Sequence, residues 1–145
     1  MFHQLAIGSL VICITIVIEG AFIAIATKKL PDAMEWLAGP KSVLRSTAVI
    51  IAVTLWTLLA LSIAVWIWAG AFMVVEAFDS FETALYFSIV SFTTLGFGDI
   101  ILPEETRLLS GMAAANGLIA FGLGTAFLVE YLRRLLQPLE KERKF

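Results

Sequence analysis

Thr93-Thr94-Leu95-Gly96-Phe97-Gly98-Asp99 is the stretch that decides how the rest of the chain folds. It lies between a short amphipathic segment, Asp79 to Phe92, and a long apolar one, Leu108 to Tyr131. Glycine-bearing, non-helical backbone is thereby set between two membrane-compatible helices. Lipid cannot satisfy the N–H and C=O groups of such backbone, so it is tolerated at membrane depth only where protein buries it or where it lines a water-filled cavity. Gly96 and Gly98 flank one aromatic residue, and glycine takes φ > 0 without a Cβ clash, so successive carbonyls can point the same way. A ring of such carbonyls replaces the water around a naked cation.

The surrounding composition fits that setting. Of the 145 residues 60% are hydrophobic and 15% charged, with a mean hydropathy of +0.94, against about 45–50% apolar and about 25% charged in soluble domains. This is the composition of an integral membrane protein. At about 20 residues per span, the length gives three spans and a single membrane domain over residues 1–145. A net charge of −2 argues against a nucleic-acid partner, which would leave a basic stripe. The one cysteine, Cys13, lies in an apolar run, where it reads as a core or lipid-facing thiol and has no partner for an intramolecular disulfide.

Leu5 to Thr27 is apolar apart from Glu19 and a few small polar residues, long enough for a first span. A cleaved signal peptide is the competing reading, because Ala24-Ile25-Ala26 has a small-x-small form; Met1-Phe2-His3-Gln4 has no positive n-region, and the apolar run exceeds the usual about 7–15 residues. Lys28 to Arg45 is a polar break. Leu30, Met34 and Leu37 fall there at helical spacing beside Trp36 until Gly39-Pro40 stops the pattern, which fits either an interfacial helical turn or an ordinary loop. Ser46 to Met73 is the second span, with Trp66 and Trp68 as interface anchors near one end.

Four basic residues lie in the 28–45 linker, five follow the third span, and only Arg107 lies between the second and third spans. The positive-inside rule places the linker and C-terminus in the cytoplasm and the N-terminus and the 93–99 stretch outside. Val74 to Arg107 has too little apolar length for another crossing, so it must dip in and return. Asp79 followed by Glu82 reads as the start of a helix that runs to about Phe92, with Asp79 as the cap. The C-terminal end of that helix, equivalent to about half a negative charge, points at the bilayer centre.

On these residues the chain resembles the potassium-channel pore-domain (P-loop, ion-channel type 2) superfamily, as a small three-helix prokaryotic-type member. The family filter T-T-V-G-Y-G-D stands here as T-T-L-G-F-G-D. The resemblance covers about residues 46–136, leaving 1–45 as an extra N-terminal helix with its cytoplasmic linker and 137–145 as a short cytoplasmic tail. It implies an all-α membrane fold: outer helix, re-entrant pore helix with filter, inner helix.

The resemblance also implies roles. Thr94, Leu95, Gly96, Phe97 and Gly98 match the ion-coordinating filter, with K+ held at Thr94, Leu95, Gly96 and Phe97. Thr93, Asp99, Val90 and the aromatic pair Tyr86-Phe87 match positions that support it. Gly122-Leu123-Gly124-Thr125 resembles the inner-helix hinge segment, which puts the gating hinge at Gly122 with Gly124 beside it. Two departures stand out. Phe97 lacks the phenolic hydroxyl of the usual tyrosine, and Val90 stands where some relatives carry a Glu that pairs with the Asp. The turn from Ile100 to Arg107 runs about four residues longer than in compact relatives, counted on the Gly122 match.

One pore loop per chain requires closed cyclic symmetry, and a homotetramer is what the resemblance implies. The expected function is passive K+ conduction at the cell membrane, with K+ as permeant ion, no cofactor, and the lipid bilayer and further copies of the chain as partners. A non-selective cation pore or a subunit of a heteromeric channel is the alternative. Glu76, Asp79, Glu82, Asp99, Glu104 and Glu105 against Arg107 give the outer side an excess of negative charge that draws cations. Glu19, an ionisable residue in mid-span, is a candidate sensor or a structural contact. Glu130 either rings the inner entrance or pairs with Arg133 or Arg134 one turn on. Asn116 either bonds the back of the pore loop or faces water.

Gly96-Phe97-Gly98-Asp99 also fits the G-x-G-D motif of intramembrane aspartyl proteases, whose chemistry needs two facing carboxyl groups; Asp32 and Asp79 belong to no span that would face Asp99. A carrier using Glu19 as a proton site lacks an internal repeat. Neither enzyme nor carrier is therefore expected. No helix has basic residues at every third position, so a voltage sensor is not expected either, and the gating stimulus or partner is not legible.

Overall fold

The computed structural model describes residues 2–37 and 43–142. Four helices follow in order: α1 (Phe2–Leu37), α2 (Val43–Val74), α3 (Phe81–Phe92) and α4 (Arg107–Glu142). Three segments are long and apolar enough to cross a membrane, Phe2–Lys29, Leu44–Val74 and Arg107–Arg134, and α3 is a shorter apolar helix. The all-α membrane fold read from the sequence is the one observed.

The first boundary differs from expectation. No separate interfacial turn begins at Leu30; α1 continues through the polar residues and Pro31 to Leu37. Proline removes one N–H but its φ is compatible with helix, so the helical spacing of Leu30, Met34 and Leu37 extends α1. The side chain of Trp36 and the Gly39-Pro40 stop lie outside the described residues. At the other end, the expected tail from 137 is helical through Glu142 as part of α4.

The buried face of α1 is polar or small. Gln4, Gly8, Val11, Thr15 and Glu19 are its buried residues, a stripe at helical period, while Leu10, Ile14 and Val17 point outward. Helices in lipid gain nothing by hiding apolar side chains from one another; small residues and hydrogen bonds hold them together. The contacts obey that rule. Gln4 accepts from the Leu108 N–H at 3.1 Å, covering one of the free amides at the start of α4. A Cβ on Gly8 would collide with the sulfur of Met112. The Thr15 hydroxyl and the Trp68 indole N–H each lie 2.8 Å from Asn116 Oδ1, tying α1, α2 and α4 at one buried point. These pairs advance together along both helices, so α1 and α4 run parallel; α1 packs on α2 and α4 and not on α3.

Trp68 therefore does not anchor at the interface as expected. It is fully buried because its N–H finds the Asn116 oxygen, whereas Trp66, two residues earlier on the opposite side of α2, is exposed. Around it the core continues through Phe72, Phe87, Phe92 and Leu109, with Phe87 edge-on to Phe72 at a centroid distance of 5.2 Å. Cys13 faces outward.

Candidate functional site

Helix α3 starts one residue later than the sequence implies. Ser80, not Asp79, is the N-cap: its backbone is extended (φ −131°, ψ 141°) and its hydroxyl accepts from the Thr83 N–H at 3.2 Å. A serine one residue nearer the helix takes the cap, and Glu82 keeps its place in the first turn. The far end is closed by Thr93, whose hydroxyl donates to the Ile89 carbonyl at 2.7 Å.

Beyond Thr93 the backbone turns back on the helix end. The N–H of Thr94 donates to Ser91 O at 2.9 Å, and those of Leu95 and Gly96 both reach Val90 O, at 3.0 and 3.3 Å. Val90 thus supports the segment through its carbonyl while its side chain is buried. Thr94, Gly96 and Gly98 have φ of 60°, 56° and 76°. Left-handed conformations alternate with ordinary ones, and the amides of Thr93 to Gly96 are spent on α3. Among the described residues no carbonyl of Thr93–Asp99 accepts a hydrogen bond. A run of unpaired carbonyls is costly anywhere but against water or a cation. All seven residues, 93 to 99, are exposed in the single chain.

The two aromatic residues expected to brace this segment point in different directions. The Tyr86 hydroxyl donates to Asp99 Oδ2 at 2.6 Å, linking the middle of α3 to the far end of the segment. That hydrogen bond raises the Tyr86 phenol above its ordinary value. Phe87 points the other way, into the core against Phe72 and Phe78. Phe97 is 65% exposed and makes no aromatic contact among the described residues.

The α4 residues divide. Asn116 neither faces water nor bonds the 93–99 segment; it is the buried acceptor between Thr15 and Trp68. Trp68 N–H can only donate, which fixes the atom it meets as the amide oxygen. Gly122 is exposed with nothing near the position of a side chain, and Gly124 is buried, where a Cβ would meet Thr57 at 2.9 Å. Glu19 is buried nearby, one carboxylate oxygen without a partner. Glu130 forms an exposed ion pair with Arg134 at 2.6 Å on its own helix. A residue the sequence left unremarked is Gly117: a Cβ there would overlap the Phe92 carbonyl at the end of α3.

With this geometry in view, comparison with protein families is decisive. A family model described as Ion channel matches residues 56–134. The chain belongs to this ion-channel family. The match begins inside α2 at Trp56 and ends at Arg134 in α4, so it takes in the later part of α2, α3, the 93–99 segment and most of α4, and α1 lies outside it. No curated protein and no solved structure matches the chain. The Asp99 carboxylate of the G-x-G-D stretch is met by the Tyr86 hydroxyl.

Proposed function

We propose that four copies of the chain form a potassium-selective channel in the cell membrane, with K+ moving passively through rings of carbonyls from Thr94, Leu95, Gly96 and Phe97. The observation that carries it is the alternation of φ at Thr94, Gly96 and Gly98 with the carbonyls of the segment left unpaired. Such an arrangement suits a dehydrated cation, and four α3 C-termini aimed at one axis add negative potential beneath it. The exposed 93–99 segment has its natural cover in other copies around that axis. The Thr94 hydroxyl and Gly98 complete the filter, Thr93, Asp99, Tyr86, Phe87 and Val90 support it, and Gly122 with Gly124 supplies the hinge. No enzymatic step is assigned. The distribution of Lys and Arg supports an outer N-terminus and a cytoplasmic C-terminus.

A second reading, a non-selective cation pore, has one observation in its favour: the Phe97 ring has no hydroxyl and no aromatic neighbour among the described residues. Reversal potential separates the two. Purified protein in planar bilayers with opposed K+ and Na+ gradients is expected to reverse near the K+ potential, and Gly96→Ala is expected to abolish that. Reversal near zero in the wild type would replace the selective reading with the second.

A further inference from the structure

α1 and α2 are pinned together at mid-membrane by Trp56, whose indole N–H donates to the Phe22 carbonyl at 3.0 Å and whose ring lies 4.7 Å from that of Phe22. Toward the C-terminal end of α1 the packing changes. Val49, Val53 and Tyr131, with Phe127 and Leu128 against them, hold α2 to α4 without any α1 residue. The result is an open cleft of about 280 Å³ whose walls include Ile25, Ala26, Val53, Trp56 and Tyr131 and whose only charged lining residue among the described residues is Lys29.

Lys29 is the last residue of the first candidate span. It lies seven residues, about 10 Å of helix, beyond Phe22, whose carbonyl holds the Trp56 indole that lines the cleft. Its ammonium is exposed and makes no ion pair among the described residues, Asp32 one turn on included. Apolar walls do not hold water, and the bilayer offers acyl chains at this depth. A cation at the mouth of such a cleft selects the headgroup attached to the chain, because basic pockets between transmembrane helices hold anionic lipid.

We propose that this cleft is a site for one anionic phospholipid per subunit, an acyl chain lying against Ala26, Val53 and Tyr131 and the phosphate on Lys29. The proposal rests on the chain being embedded in a membrane and not on its ion selectivity. Because Tyr131 belongs to α4, the lipid touches the same helix that carries Gly122 and Gly124, and α1 is what makes the site.

Native mass spectrometry of the purified full chain, titrated with phosphatidylglycerol or phosphatidylcholine of equal chain length, tests it. The wild type is expected to hold one phosphatidylglycerol per subunit with a preference of roughly fivefold, as one lysine near a membrane surface provides. Lys29→Gln, an exposed change that leaves the fold alone, is expected to bring the preference to about one while the zwitterionic lipid still binds. Ala26→Phe fills the cleft and is expected to remove the retained lipid with the oligomer intact. Equal binding of both lipids by the wild type, a preference unchanged in Lys29→Gln, or retention unchanged in Ala26→Phe would each overturn the proposal, leaving loosely surrounding lipid or a neighbouring subunit as the occupant.

Discussion

Thr94 is the residue where chemistry and backbone pull against each other. A β-branched side chain at φ 60° costs about 1–2 kcal/mol relative to ordinary conformations, and the surrounding hydrogen bonds to α3 hold it there. The two glycines were legible as left-handed positions because only they lack a Cβ; Thr94 was not, since nothing in its own chemistry favours φ > 0. Tyr86 was legible as a brace but not as the partner of Asp99. Its hydroxyl comes from one turn of α3 and the carboxylate from the far end of the segment, a meeting that only the turn geometry produces. Tyr86→Phe is expected to lower the K+ over Na+ permeability ratio several-fold. Asp99→Asn should act in the same direction, and the double variant should lose little more, as partners in one bond do. The bond also sets a pH window. A phenol raised above its ordinary value of about 10 contributes stability that is present below that value and lost as pH rises through the raised one. The difference in Tm between wild type and Tyr86→Phe should therefore be constant from about pH 7 to 9 and close above about pH 10.

At the scale of helices, glycines separate by what they touch. Gly117 brings α4 against the carbonyl end of α3, so Gly117→Ala must move one helix off the other, an overpacking that costs about 1–3 kcal/mol. Thermal unfolding of the purified oligomer should show a lowered Tm, and selectivity should loosen because α3 carries the 93–99 segment. Gly122→Ala meets nothing among the described residues of its own chain and should leave Tm unchanged or raised, since alanine is the better helix former by about 1 kcal/mol; any effect on its opening would then belong to hinge motion alone. A Tm drop in Gly122→Ala equal to that of Gly117→Ala would show that this division of roles is wrong. Asn116 joins three helices, and Asn116→Ala strands the Trp68 N–H, for a loss of about 2 kcal/mol read as a Tm shift and a change in tryptophan fluorescence. The helices themselves were legible from apolar length, and the end of α3 from its approach to the glycines. The docking of α1 was present in the sequence as a polar stripe, Gln4, Thr15 and Glu19 at helical spacing, but the partners that Gln4 and Thr15 meet arrive from about 100 positions away.

The whole molecule is decided by what one chain leaves bare. A single copy exposes the entire 93–99 segment together with Leu118, Ile119 and Val129 on α4, and one loop cannot surround an ion. In the proposed ring, closure around an axis would cover these surfaces for all copies equally. The subunit mass is 15.9 kDa, and the particle in mild detergent is expected at about four times that by native mass spectrometry. Mixing gives a stronger test, because it reads function and stoichiometry together. Gly96→Ala places a Cβ at φ 56° in every filter strand it enters, so one altered copy is expected to spoil the ring it joins. If wild-type and Gly96→Ala chains are co-expressed equally and assemble at random in fours, about one pore in sixteen is wholly wild type, and selective current should fall to that fraction. A fall to about one half would mean that each chain conducts by itself, and the fourfold ring would have to be abandoned. A fall to about one quarter would mean that two copies suffice.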